Sequence, residues 1–417
     1  EYADVSNNQL ASINLLKASD MKELNLSHNL IEEVDLRDLE AIEYLDLSDN
    51  SLSSILILEY LPLKKLDISD NRFPLSTLPT EGAETLVYAP QKPWILPSKA
   101  PVADLSMQIV PMVIDPTVFK WYKADGTPVA EDAIVETSTG LFRFDDVTLG
   151  EVYCEFSNSL FPALTGEYAY RTTNIEVAPM PTEVVTTFKP LLNGTGEIVL
   201  VGKNEDASIY VDWEGNGNIR QYIAGTTPTI FQVPVKKNVE VNFYAYDQNC
   251  GLTVMTIGAG PLEYIDASPL TELKAFSVLG SQLTSDRITL PASENLEEIT
   301  ITNANLTSYD LLNDYKNLQM IKLTNNHLTE FNSSNWDKLQ VLYLDGNVIE
   351  NVDLSNPLLW ELGLTSNRLT EIDLLDLPAL QQVWLSGNQL TDIDVEGIRN
   401  LRLLDIAGNN FNFNTLP

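Results

Sequence analysis

The sequence has 417 residues, long enough for roughly two to four domains, and its hydrophobic share of 44% is ordinary for a globular protein. Its 59 acidic and 25 basic residues give a formal net charge of −34, which would repel a phosphate backbone and excludes a nucleic-acid partner. The chain has only two cysteines and two histidines, which are too few to favour a Cys/His zinc site or a His-based catalytic triad.

A repeated phrase opens the chain as VSNNQL, LNLSHNLI, LDLSDNSL and LDISDNRF. Its fixed period of 21 residues predicts a solenoid, because one such unit cannot bury its apolar face without neighbours. We predict about four coils in residues 1–80. The row Asp4, Asn25, Asp46 and Asp67 is either a solvated face or a site for a basic peptide or a cation. One asparagine recurs at the same place in each phrase, as Asn8, Asn29, Asn50 and Asn71.

Proline accumulates where the period stops, between Pro74 and Pro101. Proline cannot continue a hydrogen-bonded ladder and stiffens the chain, so this stretch is predicted to be a semi-rigid connector. The phrase NRFPLSTLP at 71–79 closely matches NNFNFNTLP at 409–417. The match indicates a repeated module, and we expect the natural chain to continue beyond Pro417 or to end shortly after it.

Residues 81–180 show short alternating strands separated by turns, which is typical of a sandwich of two sheets. FKWYK, with Trp121, and LFRFDDVTLGEVYCEFSN, with Cys154, are similar to the tryptophan and cysteine landmarks of immunoglobulin-like domains. Two residues depart from that pattern. Val152 stands where immunoglobulin-like domains have a tyrosine, and Met107 stands where they have their first cysteine. Cys154 is therefore predicted to be a buried small hydrophobe rather than half of a disulfide.

Residues 181–250 form a second β segment, whose DWEGNG at 212–217 resembles the hairpin of small sandwich domains similar to PKD domains. The acidic residues of this loop suggest calcium, but Ile223 stands where an EF-hand loop needs its last carboxylate, so we predict a tight hairpin. The strand 239–246 leads into the next repeats without a linker. This segment is therefore expected to pack on the first coils as a cap.

A longer array of about eight coils is predicted for residues 251–417. Leu342 and Leu344 alternate as in a short strand and point inward, and the asparagine after them is expected to bond the backbone of its own and the adjoining coil. The phrases fit LxxLxLxxNxL, the pattern of the leucine-rich repeat family. The first three coils have small residues in place of the asparagine, which are Gly260, Ser281 and Ala304. The asparagines of the other five are Asn326, Asn347, Asn367, Asn388 and Asn409.

The side chains between the inward leucines face outward from the concave sheet. Tyr343 and Trp384 lie two coils apart with Gly363 between them, which predicts a gap of about 10 Å for a peptide side chain or a sugar ring. The alternative is that these rings cover an open β face or touch a neighbouring domain. The residues predicted to bind a ligand on this face are Met320, Lys322, Val341, Tyr343, Glu361, Gln382, Trp384 and Asp405.

The chain resembles modular surface proteins of Bacteroidetes-type bacteria and internalin-type proteins. The predicted fold is mainly β, with two leucine-rich-repeat solenoids separated by two small β-sandwich domains. The resemblance implies a monomeric, non-enzymatic adhesion or recognition protein whose partner is an extracellular protein or glycan. The alternative is a structural spacer without a ligand of its own.

No catalytic residue, metal or cofactor is predicted, because no nucleophile stands beside a base and no phosphate loop occurs. No apolar run approaches the roughly 18 residues of a membrane span. We expect an extracellular or cell-surface location, with an export signal upstream of Glu1 and a lipid anchor in the outer membrane as an open alternative.

Overall fold

The computed structural model describes residues 1–55, 61–102, 106–109, 114, 116–204, 207–217, 219–246 and 250–412. These residues are mainly β, as predicted, and their helical segments are short 3-10 turns. The chain divides into two compact units, Glu1–Met180 and Pro181–Pro417. The chain end at Pro417 lies outside the described residues.

The first unit begins with a parallel sheet in which each strand pairs in register with the next. Three of the strands have a buried leucine at their centre, which are Leu24, Leu45 and Leu66, while the neighbours of these leucines in sequence face outward. Strands so short gain their stability from stacking, since a single coil would leave its leucines in water. The strands are β1 (Tyr2–Asp4), β2 (Glu23–Asn25), β3 (Tyr44–Asp46), β4 (Lys65–Asp67) and β5 (Thr85–Val87).

The sheet has five strands, whereas the sequence predicted about four coils and a connector from Pro74 onward. That boundary was wrong, because Gln91 takes the role of the missing asparagine. Its Oε1 accepts from the backbone N–H of Phe73 at 3.1 Å, and its Nε2 donates to the carbonyls of Ile68 at 3.0 Å and Tyr88 at 2.7 Å. The start of the proline-rich stretch is therefore one more coil.

A second sheet completes this unit. In it β8 runs antiparallel to β11 over seven residue pairs, which places Trp121 opposite Cys154. Both side chains are buried, and Cys154 is a free thiol whose burial raises its pKa far above the usual value. The strands are β6 (Lys99–Val102), β7 (Met107–Gln108), β8 (Thr117–Lys123), β9 (Ile134–Ser138), β10 (Leu141–Phe144), β11 (Glu151–Asn158), β12 (Tyr170–Arg171) and β13 (Ile175–Pro179), and the 3-10 turns are Val147–Leu149 and Gly166–Tyr168.

The second unit starts with six strands that continue directly into its solenoid. The strand β15 (Gly194–Gly202) lies antiparallel along β20 (Leu252–Gly258), the first strand of the solenoid, and β14 (Glu183–Pro190) lies antiparallel along β21 (Leu262–Asp266). The segment therefore pairs with the first coil of the solenoid in two different sheets. One hydrophobic core continues through both parts, from Val185 to Ile398. The strands are β14 (Glu183–Pro190), β15 (Gly194–Gly202), β16 (Ala207–Asp212), β17 (Ile219–Ala224), β18 (Thr229–Val235) and β19 (Val241–Ala245).

Eight strands of the solenoid form a parallel ladder in the order β20, β22, β24, β25, β27, β29, β30 and β31. Leu342 and Leu344 are fully buried in it. The 3-10 turns of this region are Ser285–Arg287 and Asp310–Leu312. The strands are β20 (Leu252–Gly258), β21 (Leu262–Asp266), β22 (Ala275–Leu279), β23 (Ile288–Thr289), β24 (Glu298–Thr302), β25 (Met320–Lys322), β26 (Glu330–Asn332), β27 (Val341–Tyr343), β28 (Asn351–Asp353), β29 (Glu361–Gly363), β30 (Gln382–Trp384) and β31 (Leu403–Asp405).

Candidate functional site

A column of asparagines holds the coils at a fixed spacing beneath the candidate face. The Nδ2 of Asn347 donates to the carbonyl of Leu323 in the preceding coil at 2.9 Å and to that of Leu344 in its own coil at 2.8 Å. Its Oδ1 accepts from the backbone N–H of Leu328 at 3.1 Å. Asn8 differs, because it is exposed and donates only to carbonyls of its own coil. Asparagines that bond both coils in the same way are Asn29, Asn50, Asn71, Asn326, Asn367, Asn388 and Asn409.

The predicted gap between the two aromatic rings is closed. Strand register aligns Tyr343 with Gly363 and Gly363 with Trp384, so the two rings start two strands apart. Their centroids are nevertheless only 6.1 Å apart, with the ring planes inclined by 31°. The ring of Tyr343 lies over the backbone of Gly363, where an added Cβ would come within 2.5 Å of Tyr343 Cδ1. No peptide side chain or sugar ring fits between two rings in contact, so that part of the prediction was wrong.

The row instead forms a continuous stack, which we call the Lys322–Tyr343–Trp384 stack. The Nζ of Lys322 lies 5.2 Å from the centroid of the Tyr343 ring, within cation–π distance. The hydroxyl of Tyr343 donates to the carboxylate of Glu361 in the next coil. Burial and then this hydrogen bond raise the pKa of Tyr343 above its usual value, so the phenol stays protonated. All three stack side chains are half-buried and keep part of their surface open.

A second carboxylate supports the stack from the side. Asp345 accepts a hydrogen bond from the backbone N–H of Thr365 at 2.8 Å, which ties two neighbouring coils together. Burial raises the pKa of Asp345 above its ordinary value. Asp345 was not among the predicted residues, although its place two residues after Tyr343 puts both side chains on the same face of the sheet.

The other predicted residues are less available. Val341 is buried, with 7% of its surface exposed, so it supports the face rather than presenting a contact. Met320, Gln382 and Asp405 are half-buried in the same sheet, and one oxygen of Asp405 is occupied by the backbone N–H of Ala407. Of the residues predicted to bind a ligand, those best placed to do so are therefore the three of the stack and Glu361, which bonds Tyr343.

The DWEGNG loop is a tight turn between β16 and β17. The two carboxylate oxygens of Asp212 accept from three backbone N–H groups, those of Glu214, Asn216 and Gly217, at 2.9–3.2 Å. The carboxylate of Glu214 pairs with Lys236 at 3.0 Å. The oxygens that suggested calcium are therefore used by the turn itself. Across the described part of the chain, no group of three or more His, Cys, Asp or Glu side chains is placed to hold a metal ion.

Two exposed tyrosines on the first sheet were not among the predicted residues. Tyr2 and Tyr44 precede the inward positions of β1 and β3 and line a cavity of about 320 Å³. The sequence could have indicated them, because a tyrosine recurs at equivalent repeat positions two coils apart, one residue before the inward-facing side chain.

Known proteins give a limited match to this chain. Residues 357–398 match the family described as Leucine Rich repeats (2 copies), so this part of the solenoid is built of leucine-rich repeats. No curated protein matches the sequence. None of the helical segments in the described ranges has the length and apolar character needed to cross a membrane.

Several solved structures align with most of this chain. The functional domain of InlJ from Listeria monocytogenes aligns with 94% of this chain at 16% identity and a TM-score of 0.32, and this chain spans 59% of its length. The internalin InlF of the same species aligns with 99% of this chain and 82% of its own, at 15% identity and a TM-score of 0.30. A leucine-rich repeat protein of Leptospira interrogans aligns with 99% of this chain and 91% of its own, at 14% identity and a TM-score of 0.32.

Proposed function

We propose that this chain is a non-enzymatic recognition protein that binds an extracellular protein through the concave face of its second repeat array. The observation that carries the proposal is the Lys322–Tyr343–Trp384 stack, in which a cation and two aromatic rings lie side by side on a parallel sheet. Tryptophan and tyrosine dominate the residues whose loss weakens protein interfaces most. A glycan that stacks on the outer faces of the rings is the alternative ligand.

The stack is suited to binding because it is already ordered. Immobilising a side chain at an interface costs about 0.5–1.5 kcal/mol, and a side chain that is held beforehand avoids part of that cost. Tyr343 is held by Glu361 and by contact with Trp384, and the coils below it are fixed by the asparagine column. A rigid face with a central aromatic anchor is the arrangement that specific interfaces use.

The test compares two aromatic pairs. The protein is immobilised and probed with arrays of extracellular proteins and glycans, as wild type and as the double variant Tyr343→Ala, Trp384→Ala. A matched control replaces Tyr122 and Tyr153, whose rings also stack at 5.5 Å, with alanine. We expect a ligand whose binding falls at least about tenfold in the first variant and stays unchanged in the second, as for interface anchors. If the wild type and the Tyr343→Ala, Trp384→Ala variant bound every ligand equally, the stack would not be the binding site.

We also propose the domain order that the sequence suggested, with repeats at 1–80 and in the coil that follows, an immunoglobulin-like sandwich in the rest of 81–180, a PKD-like sandwich at 181–250 and repeats at 251–417. The antiparallel pairing of β8 with β11, and of β16 with β17, supports the two sandwiches. The first array extends beyond its proposed limit by the coil that contains Gln91.

Such a modular chain suits the surface of a bacterial cell, where we place it. Surface-accessible labelling of cells that express the full-length gene tests this location.

A further inference from the structure

A shallow cavity of about 320 Å³ lies on the outward face of the first parallel sheet and includes Asp46 of the row that was predicted to be either a solvated face or a site for a basic peptide or a cation. Strand register places Tyr2, Glu23, Tyr44 and Lys65 in one row across β1 to β4. These four side chains and Asp46 line the cavity. The cavity therefore combines aromatic, acidic and basic groups on a sheet that the asparagine column keeps rigid.

The two tyrosines form the walls of the cavity, and the Nζ of Lys64 already lies 5.9 Å from the centroid of the Tyr44 ring. They lie two strands apart, about 10 Å at the usual strand spacing, and their exposed fractions are 65% for Tyr2 and 43% for Tyr44. Glu23 stands between them, where the second array has Gly363, so the place between the rings holds a carboxylate instead of bare backbone. The hydroxyl of Tyr2 donates to Asp4 at 3.1 Å, which fixes the direction of its ring.

The carboxylates of the cavity differ from those around it. Glu43 pairs with Lys64 at 2.5 Å, and Asp67 pairs with Lys65 at 3.6 Å. Glu23 and Asp46, by contrast, form no ion pair with any residue that the structure describes. One oxygen of Asp46 accepts from the backbone N–H and the hydroxyl of Ser48, at 3.0 and 2.6 Å. The cavity thus carries two carboxylates that form no ion pair with a described residue, together with Lys65, whose Nζ pairs with Asp67.

We propose that this cavity binds a cationic side chain, arginine above all, from an extended basic peptide segment. A cation over the face of a tyrosine gains electrostatic energy from the ring, and a planar guanidinium can stack on the ring while it bonds a carboxylate. Charge complementarity favours such a partner, since the cavity is acidic and the whole chain carries a net charge of −34. This proposal does not depend on the ligand of the second array.

The experiment uses the full chain and a fluorescein-labelled peptide, Gly-Arg-Gly-Arg-Gly-Arg-Gly, with fluorescence anisotropy at 50 and 150 mM salt. The same peptide with citrulline in place of arginine keeps the shape and removes the charge, and a lysine peptide keeps the charge without the planar group. We expect the arginine peptide to bind at least about fivefold more tightly than the citrulline peptide, and more tightly than the lysine peptide.

Matched variants separate the cavity from general attraction to an acidic protein. Tyr44→Ala and Glu23→Gln should each weaken binding of the arginine peptide about threefold to tenfold. Tyr44→Phe keeps the ring and should keep most of the affinity. The controls are Tyr168→Ala, which removes a tyrosine of similar exposure at 46%, and Glu33→Gln, which removes the same charge from the same coil outside the cavity. Both controls should bind as the wild type does.

Three results would overturn the proposal. Equal affinity for the arginine and citrulline peptides would show that charge is not recognised. Equal weakening by Tyr44→Ala and Tyr168→Ala, or by Glu23→Gln and Glu33→Gln, would show attraction to the whole surface only. Binding of a glycan through Tyr44, with no affinity for the arginine peptide, would assign the cavity to a sugar instead. Because the substituted side chains are exposed, circular dichroism should show an unchanged fold in every variant.

Discussion

Tyr343 and Trp384 touch across an intervening strand, with ring centroids 6.1 Å apart, because Gly363 between them has no side chain. Two rows of backbone would otherwise hold the rings about 10 Å apart. The glycine thus decides whether this face presents a gap or a continuous aromatic surface.

Gly363→Ala is expected to destabilise the protein by about 1–3 kcal/mol, as overpacking does. The new Cβ would lie 2.5 Å from Tyr343 Cδ1 and 2.6 Å from an oxygen of Asp345, so the ring must leave its place over the strand. Urea unfolding measures the loss of stability, and near-ultraviolet circular dichroism reports the changed surroundings of Trp384. Gly225→Ala is the matched control, because the nearest atom to its added Cβ is 4.0 Å away. An equal effect of the two substitutions would contradict the role assigned to Gly363.

Asn347→Ala is expected to cost about 1–3 kcal/mol, because it leaves the buried N–H of Leu328 without its acceptor and removes one of two amide donors from each of the carbonyls of Leu323 and Leu344. Asn8→Ala should change stability far less, since Asn8 is exposed and bonds one coil only. Urea unfolding of both variants provides the comparison. If Asn8→Ala cost as much as Asn347→Ala, bonding between coils would not be what the column contributes.

The sequence was sufficient to predict the register of the second array, because a fixed repeat period places equivalent residues beside each other on adjacent strands. Lys322, Tyr343 and Trp384 lie in one row for that reason. The sequence did not predict how far the rings lean, since strand spacing determines where a side chain starts but not the rotamer it adopts. It also missed the fifth coil of the first array. There Gln91 replaces the expected asparagine, and nearby prolines indicated a connector.

Asp345→Asn is expected to make the protein more stable at pH 7. Burial raises the folded-state pKa of Asp345 above the ordinary 3.8, so the folded protein binds this proton more tightly than the unfolded chain does. Stability therefore falls as the pH rises through the window just above 3.8. Asparagine carries no charge, and its side-chain oxygen can still accept from the N–H of Thr365. Urea unfolding between pH 3 and pH 7 should show an advantage that shrinks as the pH is lowered.

Asp35→Asn is the control, because this substitution is expected to change the stability at pH 7 in the opposite direction. Arg37 donates to Asp35 and lowers its pKa from 3.8 to about 2, so this carboxylate stabilises the folded state at pH 7 and loses that effect as the pH falls toward 2. The Asp35→Asn variant should thus be slightly less stable than the wild type at pH 7. The same sign for both variants would contradict the assignment of burial as the dominant influence on Asp345.

Gln91→Ala and Gln91→Asn are expected to destabilise the first unit to a similar degree, by about 1–3 kcal/mol. Gln91 bonds Phe73, Ile68 and Tyr88 from a backbone position set by its own longer side chain. Asparagine is shorter by one methylene, about 1.5 Å, so restoring the repeat's usual residue should not restore the three bonds. Urea unfolding tests the stability, and faster hydrogen exchange at the Phe73 N–H would locate the loss. The exposed Gln9 offers the control Gln9→Asn, which should behave as the wild type. Wild-type stability in Gln91→Asn would mean that the fifth coil adapts its backbone to whichever amide it carries.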